Sequence, residues 1–171
     1  GQDSRPQFAN VQTPFSLVGH PALRVDHHRE RLRWVPLHPK RRLQSPDVQL
    51  ALKDADPAVA QEAAIAINDA PIAPAFPALA ALLGQANLPE PIALRAINAH
   101  FRLGQPANAQ ALAAFAADAA APAKLRAEAI TQLGFWPKPP ARDRLVGIFR
   151  PLSPATRDRA PAVAALQPIL G

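Results

Sequence analysis

Cysteine is absent from the 171 residues, which excludes disulfides, thiolate metal sites, a cysteine nucleophile and covalent c-type haem attachment within this chain. No run of about 18 apolar residues occurs, so no stretch is long enough to cross a membrane as a helix. Methionine is missing, at the first position as elsewhere, and no signal-like segment opens the chain. The expectation is an internal piece of a longer polypeptide, whose targeting sequence would not be visible in this stretch. No glycine-rich phosphate loop is present. Ser4, Ser16, Ser45 and Ser153 have no His/Asp setting that would make a nucleophile, and Ser45 and Ser153 read as helix caps.

Apolar residues make up 49% of the chain, enough for a continuous core. Alanine is the largest contributor, so helix is favoured and helices can approach closely, while Leu, Ile, Val and Phe carry the packing energy at about 25 cal/mol per Å². The 21 prolines cluster at apparent helix starts and loops, which argues for punctuated helices rather than disorder. The net charge of +6 is uneven. Residues 1–45 hold eight Arg/Lys against three acids, whereas 46–171 hold eleven against ten, so the basic character belongs to the front segment.

The stretch Asp54 to Asp69 organises the rest. Asp56 is a good N-cap, Pro57 suits the first helical position, and Val59, Ala63 and Ile67 fall on one face. Before it, residues 1–14 are polar and aperiodic, His20-Pro21 marks an earlier turn with a thin apolar stripe behind it, and 36–44 reads as a linker. Ser45-Pro46 opens a short first helix on Val48 and Leu52. Further helices are expected from Pro74 (Phe76, Leu79, Leu83), Glu90-Pro91 (Leu94, Ile97, Phe101, stopping at Gly104), Pro106 to Asp118 (Leu112, Phe115, Ala116) and Pro122 to Gly134. After the loop Phe135 to Pro140, a helix is expected over 141–149 on Leu145, Ile148 and Phe149, and a last one from Ser153-Pro154, kinked or shortened at Pro161 and running into a following unit.

Pro21, Pro57, Pro91, Pro122 and Pro154 each stand at the start of a proposed second helix, at intervals in the thirties, which is the period of a helical-hairpin solenoid. Arg95, Arg126 and Arg157 recur at an interval of 31, with Ala60 in the matching place of the organising unit. The turn DADP and the helices VAQEAAIAI and LRAEAITQLG resemble HEAT repeats, whose implied fold is an all-α, right-handed α-solenoid of stacked hairpins. The phrases LVGHPALRV, ALKDADPAVAQEAAIAIND and ARDRLVGIFRPL are further similar to the HEAT segment of large bacterial membrane-bound dehydrogenase or haem-binding proteins, which join a sugar-dehydrogenase-like β-propeller to a cytochrome c domain. That resemblance implies a periplasmic or otherwise extracytoplasmic spacer. Neither the propeller nor a C-x-x-C-H motif is in this chain, and the stretch DHHRERLRWVPLHPKRR lacks the apolar pattern of a sound hairpin.

Arg95, Arg126 and Arg157 form either a ladder for an acidic partner or, the reading preferred for stacked units, ties to turn carboxylates and carbonyls of neighbouring units. His20, His27, His28 and His38 lack the companions of a tetrahedral metal site. The basic front with Trp34 suits nucleic acid in principle, but the remainder of the chain is nearly neutral, so a groove with basic residues in successive units is not built. Phe135 and Trp136 with PKPP are expected to tuck over adjacent helix ends. The resulting expectation is a basic N-terminal segment with a degenerate first repeat (1–45) and a HEAT-like domain (46–171), acting as a non-catalytic scaffold that binds no cofactor. Its partner is another protein or a flanking domain of the same polypeptide. The alternatives are a spacer within a haem- or quinone-linked sugar oxidoreductase and a nucleic-acid-binding helical repeat.

Overall fold

A computed structural model describes residues 45–170. The expectations for the basic segment, for His20, His27, His28 and His38, and for the turn at Pro21 lie outside the described residues. Within them the fold is all-α: α1 (Ser45–Ala51), α2 (Pro57–Asp69), a 3-10 turn (Ala73–Ala75) leading into the short α3 (Phe76–Ala80), α4 (Glu90–Leu103), α5 (Pro106–Ala117), α6 (Ala123–Gly134) and α7 (Ala160–Leu170).

The starts of these helices follow from local chemistry. The Asp56 carboxylate accepts the Ala58 amide at 2.8 Å while the Asp56 amide donates to Asp54 Oδ1 at 2.9 Å, so the DADP turn satisfies donors that the first turn of α2 cannot. α4 ends at Gly104, whose φ of +69° is the left-handed conformation glycine adopts without steric cost, and the Gly104 amide closes on the His100 carbonyl. One residue later the Gln105 amide donates to Asn108 Oδ1, which opens α5. Asn108 Nδ2 lies 3.0 Å from His100 Nδ1. An amide nitrogen only donates, so this contact takes the neutral imidazole with Nδ1 as acceptor, and it ties α4 to α5.

Consecutive helices pair: α1 with α2, α3 with α4, and α5 with α6. In addition α2 packs on α4, α4 on α6, and α5 on α7. The core falls into two clusters with α4 as their shared wall. One gathers Val48, Leu52, Ile67, Phe76, Leu79 and Ile92; the other gathers Ile97, Phe101, Leu112, Leu125, Leu133 and Trp136. Complete burial of Ile67, Leu79, Ile97, Leu112 and Leu133 supplies about 1.5–3 kcal/mol each before chain entropy. Fully buried alanines, among them Ala63, Ala64, Ala96, Ala99 and Ala109, keep the helices close. Phe101 and Trp136 meet edge to face, with centroids 6.1 Å apart.

The last quarter departs from expectation. No helix covers 141–149: a tight antiparallel contact pairs Arg142 with Phe149, the Asp143 carboxylate binds the amides of Leu145 and Val146, and Gly147 takes a φ of +72°. An aspartate bonding amides two and three residues on, followed by a left-handed glycine, makes a turn and forecloses helix. Pro154 opens no helix either. The final helix starts at Ala160 with Pro161 in its first turn, and it packs beside α5, a first helix of its hairpin, so Pro154 is not a member of the second-helix series.

Candidate functional site

Residues 135–159 form a strap laid over the C-terminal thirds of α2, α4 and α6, and the most elaborate polar structure among the described residues lies beneath it. Three adjacent pairs explain why. Ile67/Asn68 on α2, Ile97/Asn98 on α4 and Leu133/Gln132 on α6 each turn a fully buried apolar side chain into the core and a buried amide toward the strap. Asn98 Nδ2 spends both protons, one on Asn68 Oδ1 at 2.8 Å and one on Asp143 Oδ2 at 3.1 Å. Asn68 Nδ2 donates to Asp69 Oδ1, and Arg95 Nη2 donates to Asp69 Oδ2 at 3.0 Å.

Asp143 is the centre of this network. Its side chain is wholly buried, and four donors reach it: Leu145 and Val146 amides on Oδ1, Asn98 and Arg102 on Oδ2, with Arg102 Nη1 at 3.3 Å and Arg150 Nη1 at 3.9 Å. Burial alone would raise its pKa. The hydrogen bonds from Asn98, Val146 and Leu145 and the Arg150 charge outweigh that and hold the carboxyl below its ordinary value. Burial and the neighbouring Arg150 charge lower the pKa of Arg102, against the opposing pull of Asp143. A cavity of about 10 Å³ remains among Asn98, Arg102, Gln132 and Asp143, room for about one water.

The strap also feeds arginines to helix ends. Arg150 donates to the carbonyls of Asn68 and Asp69 at the end of α2. Arg157 donates to Phe101 O at 2.7 Å and Trp136 O at 3.2 Å, at the ends of α4 and α6. A cation there satisfies carbonyls that have no partner within the helix and complements the negative end of the helix dipole. The Arg157 guanidinium lies 4.6 Å from the Phe101 ring centroid and 4.3 Å from that of Trp136, and burial lowers its pKa. Arg144 grips Glu128 with two bonds, of 3.2 and 3.1 Å, and rests over Phe135, so the Glu128 hydrogen bond raises its pKa. Six basic side chains against two acidic ones over 135–159 give the strap a charge of +4.

Arg95, Arg126 and Arg157 do not make one ladder. Arg95 bonds Asp69 of the preceding hairpin and the Pro91 carbonyl. Arg126 Nε donates to Ala116 O at the end of α5, within its own hairpin. Arg157 stands in the strap, not on a helix. Trp136 is buried as expected of an aromatic tucked over helix ends, whereas Phe135 stays 39% exposed. Sequence reasoning passed over Asn68, Asn98, Arg102, Gln132, Asp143 and Arg150. The visible trace of the first, second and fourth was an amide in each second helix, with Asn98 30 residues after Asn68 and Gln132 34 further on.

Among the described residues no group of three or more His, Asp or Glu side chains is placed to hold a metal ion, and no helix is long and apolar enough to cross a membrane. A second, open groove of about 350 Å³ runs between the end of α3 and α5, lined by Leu83, Gly84, Ala111, Ala114, Phe115 and Asp118. Compared with protein-family models, curated proteins and solved structures, the chain matches none.

Proposed function

We propose that the chain is part of a right-handed, HEAT-like α-solenoid and works as a non-catalytic scaffold, holding a protein partner or flanking domains of its own polypeptide in a set arrangement. The observation that carries this reading is serial packing: α2 lies on α4 and α4 on α6, with side-chain ties from Asn98 to Asn68 and from Arg95 to Asp69 joining successive hairpins. Stacked units that bury a shared core only against their neighbours are the repeat-protein mode of construction, and their use is extended surface. The spacing of the helix-opening prolines 57, 91 and 122 supports it. So does the inward engagement of Arg95 and Arg126, which act as ties between elements.

Cross-linking mass spectrometry on the chain in its source cells tests the reading. Lys53, Lys124 and Lys138, spread over the α1–α2 turn, α6 and the strap, are expected to give links to a second protein or to another domain of the same polypeptide. A polypeptide that runs at monomer mass with no links from these lysines beyond residues 45–170 contradicts the scaffold role.

A further inference from the structure

The strap is anchored at its two ends and rests on polar contacts in its middle. At the ends, Trp136 is 1% exposed and Arg157 is held between Phe101 and Trp136. In the middle, over 141–150, Asp143 is the one buried residue; Leu145 and Val146 are half-buried, while Ile148 and Phe149 are 49% and 70% exposed. The apolar share of the hairpin's seat is limited to Leu145 and Val146, which are only partly buried, and its fully buried group is a carboxylate.

The surface it covers is polar in the same way. Asn68, Asn98, Arg102 and Gln132 lie under it, although the positions beside the three amides are fully buried Ile and Leu. Apolar packing of equal volume is often as stable as a buried ion pair or more so, so stability alone does not select this chemistry for a permanent cover. A face that is covered in one state and open to water in another must be polar to tolerate both. What the covered face recognises is also written in its geometry. Asn98 Nδ2 and Arg102 Nη1 converge on one carboxylate oxygen, and Arg150, which belongs to the hairpin, leaves with it.

We infer that hairpin 141–150 is a built-in occupant of a carboxylate-recognising groove across α2, α4 and α6, and that an acidic peptide segment of a partner takes its place with Asp or Glu where Asp143 sits. This deepens the scaffold reading and rests on it. Lifting the hairpin exposes Asn98 and Arg102 as donors and the Asn68 and Asp69 carbonyls as acceptors for the incoming main chain or a basic side chain. Pro139-Pro140 on one side and Pro151 on the other are stiff flanks, so the hairpin opens as a unit while Trp136 and Arg157 stay in place.

The test uses the chain with residues 141–150 replaced by a Gly/Ser linker of equal length. The probes are labelled synthetic peptides: residues 140–151 of this chain, the same peptide carrying Asp143→Asn, and an unlabelled hexaglutamate competitor. Fluorescence anisotropy is expected to show saturable binding of the native peptide to the linker variant, at least tenfold weaker binding of the Asp143→Asn peptide, displacement by hexaglutamate, and little binding to the unaltered chain. Equal binding of both peptides, or none while circular dichroism shows the helices intact, overturns the inference. Should the linker variant not fold, hydrogen exchange on the unaltered chain decides. The Asp143 and Arg150 amides, bonded to Ile148 O and Ala141 O, are expected to exchange well before the Gly104 amide, and faster still with hexaglutamate present. Exchange of all three together overturns the proposal. Partner cross-links without peptide binding remove this inference and leave the scaffold reading standing.

Discussion

Substituting alanine for Arg157 removes four contacts at once: hydrogen bonds to Phe101 O at 2.7 Å and Trp136 O at 3.2 Å, and the faces of Phe101 and Trp136 at 4.6 and 4.3 Å. Charge-assisted bonds contribute about 1.5–3 kcal/mol each and cation–π contacts about 0.5–1 kcal/mol each. Desolvation of the guanidinium opposes them, as its lowered pKa and the partnerless Nη2 indicate. The net loss is about 3 kcal/mol, which for a chain of this size lowers Tm by ~9 °C. Arg157→Lys keeps the charge but neither the flat stack nor the paired geometry, so it loses about half as much. Urea unfolding followed by circular dichroism and by Trp136 fluorescence, in a Trp34→Phe background so that one indole reports, measures both. A variant within about 0.5 kcal/mol of the parent, the scatter of an ordinary surface substitution, refutes the role given to this side chain.

Gly104→Ala should cost about 1–2 kcal/mol for the left-handed backbone and more because a Cβ there collides with Arg157 Nη1; in an Arg157→Ala background the excess should vanish, which a double-mutant cycle in urea reads. Burial lowers the His100 pKa below 6.5 in spite of its bond to the Ala80 backbone, so the unfolded chain binds the proton first and stability falls as pH drops below 6.5 toward the folded-state value. His100→Gln should flatten that slope in urea midpoints measured against pH. For Asp143, with a folded pKa below 3.8, the stabilisation is present above 3.8 and is lost as pH falls further, and Asp143→Asn should remove that acid limb. Leu112→Ala, at a wholly buried site between the α5 and α6 hairpin and α7, should cost about 2–5 kcal/mol by calorimetry.

Proline and short-range capping made the hairpins readable. Asp56-Pro57, Glu90-Pro91, Pro106 and Gly104 mark helix ends whose chemistry is complete within four residues, and the 3.6-residue stripes place Ile67, Ile97 and Leu112 inward. The same stripe misled over 141–149, where Leu145, Ile148 and Phe149 keep helical spacing but only Leu145 is largely covered, Ile148 and Phe149 being 49% and 70% exposed. Asp143 instead reaches Asn98 and Arg102, 45 and 41 residues away in the chain, and no local pattern announces a contact of that range. Pro154 shows the limit of punctuation: a proline marks the first turn of a helix and the bend of a loop alike. Arg157 kept its spacing of 31 from Arg126, yet the structure puts it in a strap, so periodic spacing located the residue without its role.

The arrangement of successive hairpins is tested most directly by a pair of introduced cysteines, which the cysteine-free sequence makes clean. Asn68→Cys with Asn98→Cys replaces two side chains that touch at 2.8 Å across α2 and α4. A short bis-maleimide should bridge this pair within one folded chain and fail to do so in urea, while Asn68→Cys with Gln132→Cys, two second helices apart, should stay unbridged. Equal bridging of both pairs, or of neither, contradicts the ordered packing of α2, α4 and α6 on which the account rests.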